Sequence, residues 1–108
     1  MPDYYFHYTS MYHAQGILSI GRIRPGRGGD IFLTDRLYNT GAEASNELGV
    51  GHKVIEACFA IPASGVADAI GPEQAAPWND TRVGGGPEYT TGNDIDITRA
   101  AVVLVRLP

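Results

Sequence analysis

Only one cysteine, Cys58, occurs in the 108 residues. It rules out an internal disulfide and a metal site built from thiolates alone. Cys58 lies in the apolar run Val54-Ile55-Glu56-Ala57-Cys58-Phe59-Ala60-Ile61, where it reads as a buried structural thiol rather than a nucleophile, in keeping with a cytoplasmic setting. Basic residues are scarce too. Eight Lys and Arg against twelve Asp and Glu leave a net charge of −4, and an acidic chain without a basic stripe is not expected to bind nucleic acid. No apolar run is long enough to span a bilayer, so no membrane partner is expected. Met1-Pro2-Asp3 lacks a basic stretch followed by an apolar one, so no signal peptide is read there. Also missing are the phosphate-binding Gly-Lys-Ser/Thr loop, a Gly-x-Gly-x-x-Gly turn between strand and helix, and HExxH. His7, His13 and His52 show no metal-ligand spacing, and no metal is expected.

Glycine, by contrast, is frequent at 14 residues, with 7 prolines, so connections must be tight or irregular. Tyr4 to Tyr8 reads as an aromatic-rich strand. Ser10 can cap a helix from about Met11 to Ile20, with Met11, Ala14, Ile17 and Leu18 on one face and Gly21 as its stop. Arg22 to Asp30 reads as a loop whose Arg22, Arg24 and Arg27 either meet a phosphate-bearing ligand or are simply solvated. Ile31 to Thr34 is a short strand. Thr40 and Glu43 have capping-box spacing and predict a second helix over about Gly41 to Leu48, ended by Gly49. Lys53 to Ile61 is the longest strand candidate, stopped by Pro62. Ala63 to Pro87 lacks periodicity and is expected to be a long loop with at most a short helical turn, of the kind that often carries function. Tyr89 to Thr91 and Ala101 to Leu107 complete the strands. The order predicts one α+β domain over residues 1–108, with short helices on a split, mainly antiparallel sheet.

Three segments can carry chemistry. In His7-Tyr8-Thr9, strand alternation points His7 and Thr9 to one face and Tyr8 to the other. The polar pair there can bond ribose hydroxyls or an amide edge, or can simply end the strand. In Gly28-Gly29-Asp30-Ile31-Phe32-Leu33-Thr34-Asp35, glycines permit close approach of backbone to a ligand. Phe32 or Tyr38 offers a ring for stacking, the alternative being a hairpin with Phe32 in the core. In Gly84-Gly85-Gly86-Pro87-Glu88-Tyr89-Thr90-Thr91, a triple glycine reads either as a mobile segment delivering Glu88 to a cleft or as a linker before an edge strand. Asp94 and Asp96 read as a solvated turn.

Taken in chain order, these pieces resemble the ADP-ribosyltransferase superfamily. Phe6-His7-Tyr8-Thr9-Ser10, the following helix, Gly21-Arg22-Ile23 and Ile31-Phe32-Leu33-Thr34-Asp35 look like the His-Tyr-Asp type found as terminal domains of bacterial polymorphic toxins. Ile31-Phe32-Leu33 with Gly41-Ala42-Glu43 is similar to the strand and helix of the small rifamycin ADP-ribosyltransferases. Pro87-Glu88-Tyr89 is similar to the Glu-Tyr strand of diphtheria-toxin-like and poly-ADP-ribose transferases.

The resemblance implies an ADP-ribosyltransferase-like fold and cleavage of the nicotinamide–ribose bond of NAD⁺, a glycosyltransferase reaction without a metal. It implies catalytic roles for His7, Phe32 or Tyr38, and Glu88. The implied NAD⁺-binding set is His7, Tyr8, Thr9, Ser10, Gly29, Phe32 and Thr34. Phe32 stands where the family has a stacking tyrosine, and Tyr38 is the candidate substitute. Glu88 is the first choice for the acid, with Asp68 and then Asp94 as alternatives. The implied partners are an acceptor macromolecule, or a small molecule such as a rifamycin, and a cognate immunity protein for a toxin domain. Hydrolysis of NAD⁺ in place of transfer, and a non-catalytic nucleotide-binding module of the same fold, remain open at this level. An RNA 2′-phosphotransferase, which also uses NAD⁺, is disfavoured by the sparse basic residues.

Overall fold

A computed structural model describes residues 2–50, 54–66, 68–76, 84–99 and 101–108. Strand β1 (Tyr4–Thr9) leads into helix α1 (Met11–Ile20), followed by β2 (Arg22–Ile23), β3 (Ile31–Leu33) and helix α2 (Gly41–Glu47). Then come β4 (Ala57–Pro62), a 3₁₀ turn at Ala63–Gly65, β5 (Ile70–Gln74), β6 (Pro87–Thr91), β7 (Ile95–Asp96) and β8 (Val103–Arg106). Among the described residues the strands form three small sheets, ordered β1-β4-β8, β3-β6-β5 and β2-β7, and every pairing is antiparallel. The class is therefore α+β, as expected.

Local chemistry sets the helix ends. Ser10 accepts the His13 N–H, and Gly21, at φ 79°, returns its own N–H to the Ile17 carbonyl. At α2, the Thr40 hydroxyl accepts the Glu43 N–H at 3.0 Å, and Gly49 follows Leu48 in the left-handed region at φ 71°, which favours glycine. Helix α1 buries Ala14 and half-buries Ile17, while Leu18 faces solvent. Gly16 sits mid-helix with nothing within 4 Å of where a Cβ would stand. Gly16→Ala should therefore stabilise the protein by about 0.5–1 kcal/mol, read as a higher urea midpoint.

β4 runs through the middle of its sheet with Ala57, Cys58, Phe59 and Ile61 all buried. It is shorter than the expected Lys53-to-Ile61 strand. Val54 is exposed, and Lys53 lies outside the described residues. Pro62 pairs with Tyr4 at the strand's end, where a missing N–H is tolerated. Burial pushes the Cys58 thiol up to about 11, opposed by its hydrogen bond to Tyr8, so it stays protonated and unreactive.

Two expectations are corrected. Ala63 to Pro87 is not a structureless loop, because β5 pairs with β6 through Ile70↔Thr90, Glu73↔Glu88 and Gln74↔Pro87. All five β5 residues are exposed, so no inside–outside alternation marks it, and Pro72 suits an edge position. Nor is Arg22 to Asp30 entirely loop: Arg22 and Ile23 pair with Asp96 and Ile95, because Ile23 and Ile95 are both core residues. Sheets β1-β4-β8 and β3-β6-β5 meet at one bridge. Phe6 donates its N–H to Thr34 O at 2.7 Å and accepts the Thr34 N–H at 3.0 Å. Among the described residues, no helix is long and apolar enough to cross a membrane.

Candidate functional site

The Phe6–Thr34 bridge lays β1 beside the end of β3 and brings His7 to Phe32. His7 Nδ1 lies 3.0 Å from the Phe32 carbonyl. A carbonyl can only accept, so Nδ1 carries a proton and donates it to this bond. Strand register then places the acid. Leu33 pairs with Tyr89 and both are buried, so Phe32, opposite Thr90, faces the other way. Glu88, two residues from Thr90, shares that outer face. Tyr89 holds the strand by its core side, donating to Asp35 Oδ2 at 3.0 Å and meeting Tyr5 edge-on at 4.9 Å.

The result is a cavity of about 610 Å³ in which His7, Phe32 and Glu88 come together with the apolar wall Leu48, Val50 and Ile55. Phe32 is 55 % exposed, so its ring is presented to the cavity and is not spent on the core. Glu88 is half-buried. Burial raises its carboxyl above the ordinary value, and Glu73, its partner across the β5–β6 ladder, raises it further. An unpaired negative charge is thus disfavoured there, and a positive partner would be welcomed.

A second cavity of about 900 Å³ lies against the first, and His7 and Phe32 line both. Thr9, Tyr12 and His13 border it, as do Arg22, Arg24 and Arg27, three of only eight basic residues. Arg22 is paired with Asp94 at 3.4 Å. Arg24 and Arg27 form no ion pair among the described residues. Two N–H groups at the start of α1 are already taken within the protein. Glu56 Oε1 accepts the Met11 N–H at 3.1 Å, and Ser10 Oγ accepts that of His13 at 3.1 Å.

Several sequence candidates fall elsewhere. Ser10 is occupied with capping α1 and lies 3.0 Å from His13 Nδ1. Thr34 is fully buried, and its hydroxyl accepts the Arg36 N–H at 3.3 Å. Gly29, at φ 86°, donates to Gly26 O within the turn and lines neither cavity, unlike its neighbour Gly28. Tyr38 is no substitute for a stacking tyrosine. It is 4 % exposed, packed at 5.6 Å against Tyr8, and its side chain reaches Gly86 instead of the cavity. Tyr8 lines the Glu88 cavity, but its hydroxyl is engaged, donating to Arg36 O at 2.9 Å and accepting the Tyr38 N–H at 2.6 Å.

Asp68 is held apart from His7 and Phe32. It borders a cavity of about 300 Å³ with Asp94, Thr91 and Asn93, and accepts from Thr91 Oγ1 at 2.7 Å and from Asn93 Nδ2. Those hydrogen bonds hold its carboxyl below the usual value, as befits an acid fastening a loop. The apolar wall of Leu48, Val50 and Ile55 had no sequence signal, because only the fold brings the end of α2 opposite β6. Among the described residues, no cluster of three or more His, Cys, Asp or Glu could hold a metal. Comparison of the chain with protein-family models, with curated proteins and with solved structures finds no match to any of them.

Proposed function

We propose that this protein is an ADP-ribosyltransferase-like enzyme that binds NAD⁺ across His7 and Phe32 and breaks its nicotinamide–ribose bond, with Glu88 as the acid. The observation that carries this reading is the meeting of His7, Phe32 and Glu88 in one cavity. Breaking that bond builds positive charge on the ribose, as in glycoside cleavage. A partly desolvated carboxylate gains more from such a charge than a solvated one, so its stabilisation is greatest in the transition state. His7, oriented by the Phe32 carbonyl, holds a ribose hydroxyl, and the Phe32 ring keeps the departing nicotinamide flat.

The arginine-lined cavity suits the diphosphate half of NAD⁺. With two of the N–H groups at the start of α1 already taken, the anion is held by the guanidinium groups of Arg24 and Arg27. The double substitution Arg24→Gln/Arg27→Gln should weaken both NAD⁺ and ADP at least tenfold, since a hydrogen bond to a charged group contributes about 1.5–3 kcal/mol. Calorimetric titration at fixed salt checks this, and an unchanged ADP affinity would move the diphosphate elsewhere.

The decisive experiment is incubation of the purified protein with NAD⁺ and measurement of nicotinamide release. A protein that neither binds NAD⁺ nor releases nicotinamide sinks the proposal. Phe32, which lacks the family tyrosine's hydroxyl, supports a second reading, nucleotide binding without turnover; binding with no release would select it. Where release is seen, mass spectrometry separates free ADP-ribose from transfer to a macromolecule, as for a toxin domain countered by an immunity protein, or to a small molecule.

A further inference from the structure

We infer that Gly86 is a positioning residue for Glu88, gauged by the Tyr38 hydroxyl and the C-terminal end of α2. This rests on the reading that Glu88 works in its cavity. The triple glycine before Glu88 is not the loose segment its composition suggests. Gly84 donates to Asn46 O at 3.0 Å and Gly86 to Glu47 O at 2.9 Å, both carbonyls at the end of α2. On the other side, Gly85 donates to Ala75 O at 2.7 Å, and Gly86 O accepts the Ala75 N–H at 2.8 Å. Three consecutive residues are thus held between a helix end and the end of β5.

Side-chain packing closes the remaining direction. A Cβ on Gly86 would stand 2.5 Å from Tyr38 Oη and 3.0 Å from Glu47 O. Tyr38 Oη is buried and has no hydrogen-bond partner among the described residues. Such an orphan is costly, and phenylalanine would keep the ring in the core without it. The hydroxyl makes sense as a spacer against the Gly86 backbone. The ring behind it is fixed in turn by Tyr8, through the 5.6 Å ring contact and the Tyr38 N–H bond. The end of α2 also continues into Leu48, Gly49 and Val50, which wall the Glu88 cavity. Acid and wall therefore share one anchor.

Four proteins test this: wild type, Tyr38→Phe, Gly86→Ala and the double variant. Glu88 is followed by NMR titration of its side-chain carboxyl, and turnover by nicotinamide release. Tyr38→Phe leaves a gap and Gly86→Ala a clash, so each alone should move the Glu88 midpoint towards that of an ordinary glutamate and lower kcat, about tenfold for Gly86→Ala, with KM for NAD⁺ within twofold. In the double variant the new methyl group occupies the vacated space, and both midpoint and kcat should return towards wild type. Folded single variants with an unmoved Glu88 midpoint overturn the proposal, as does a double variant no closer to wild type than Tyr38→Phe. If Gly86→Ala fails to fold, Tyr38→Phe and the double variant still decide. If wild type releases no nicotinamide, the reading of NAD⁺ cleavage fails, while the titration still decides whether Gly86 positions Glu88.

Discussion

Glu88→Gln is expected to cut nicotinamide release by about a hundredfold or more while making the folded protein more resistant to heat at neutral pH. The first effect follows from the proposed role of Glu88, because glutamine removes the charge that would face the developing sugar cation. The second follows from the raised carboxyl, caused first by burial and then by Glu73. Below about pH 4, near the unfolded pKa of glutamate, both states hold the proton and Glu88 contributes nothing. As pH rises, the unfolded chain releases its proton first and the folded state falls behind. Above the folded midpoint the penalty is complete. Glutamine removes that penalty. Calorimetric melting should therefore show the variant above wild type at pH 7 and level with it near pH 3.5. A variant that loses activity and also melts lower at pH 7 would mark Glu88 as structural instead.

Gly41→Ala is expected to destabilise the protein by about 3 kcal/mol or more. Gly41 opens α2, and a Cβ there would stand 1.8 Å from Ile55 O and 2.9 Å from its carbonyl carbon. A methyl group has no rotamer with which to escape, so the backbone at Ile55 must move away from the helix. Ile55 lines the Glu88 cavity, and so do Leu48 and Val50 beyond the other end of the same helix. NAD⁺ affinity should fall together with stability. Urea unfolding reads the first effect and calorimetric titration the second. A midpoint within error of wild type would mean that α2 does not sit this close to Ile55.

Features with local causes were legible in the sequence. Ser10 and Gly21 bound α1 where the sequence placed it, and Thr40 with Glu43 did the same for the start of α2. β3 and β6 follow from short apolar or aromatic runs beside glycine. Features that depend on a distant partner were not legible. β2 and β7 are two residues each and exist because Ile23 and Ile95 meet in the core. β5 is exposed throughout and exists because β6 lies beside it. Tyr38 stood near Phe32 in sequence and so looked equivalent to it, yet the turn after β3 takes it into the core. Glu88 and Asp68 were chemically alike as candidates. The β3–β6 register separates them, placing Glu88 on the face of Phe32, while Thr91 and Asn93 hold Asp68 elsewhere.

Among the described residues, the two cavities have only His7 and Phe32 in common, and this has an evolutionary consequence. The arginine side is built largely from α1 and the exposed 24–30 turn, the acid side from Glu88, from Leu48, Val50 and Ile55, and from β1 and β3. Substitutions or insertions in the turn can change what is gripped without disturbing the apolar interior or the setting of Glu88. On the proposed reading, ligand preference in this scaffold can therefore drift at little cost in stability, whereas His7 and Phe32 answer to both sides at once and have the least freedom to change.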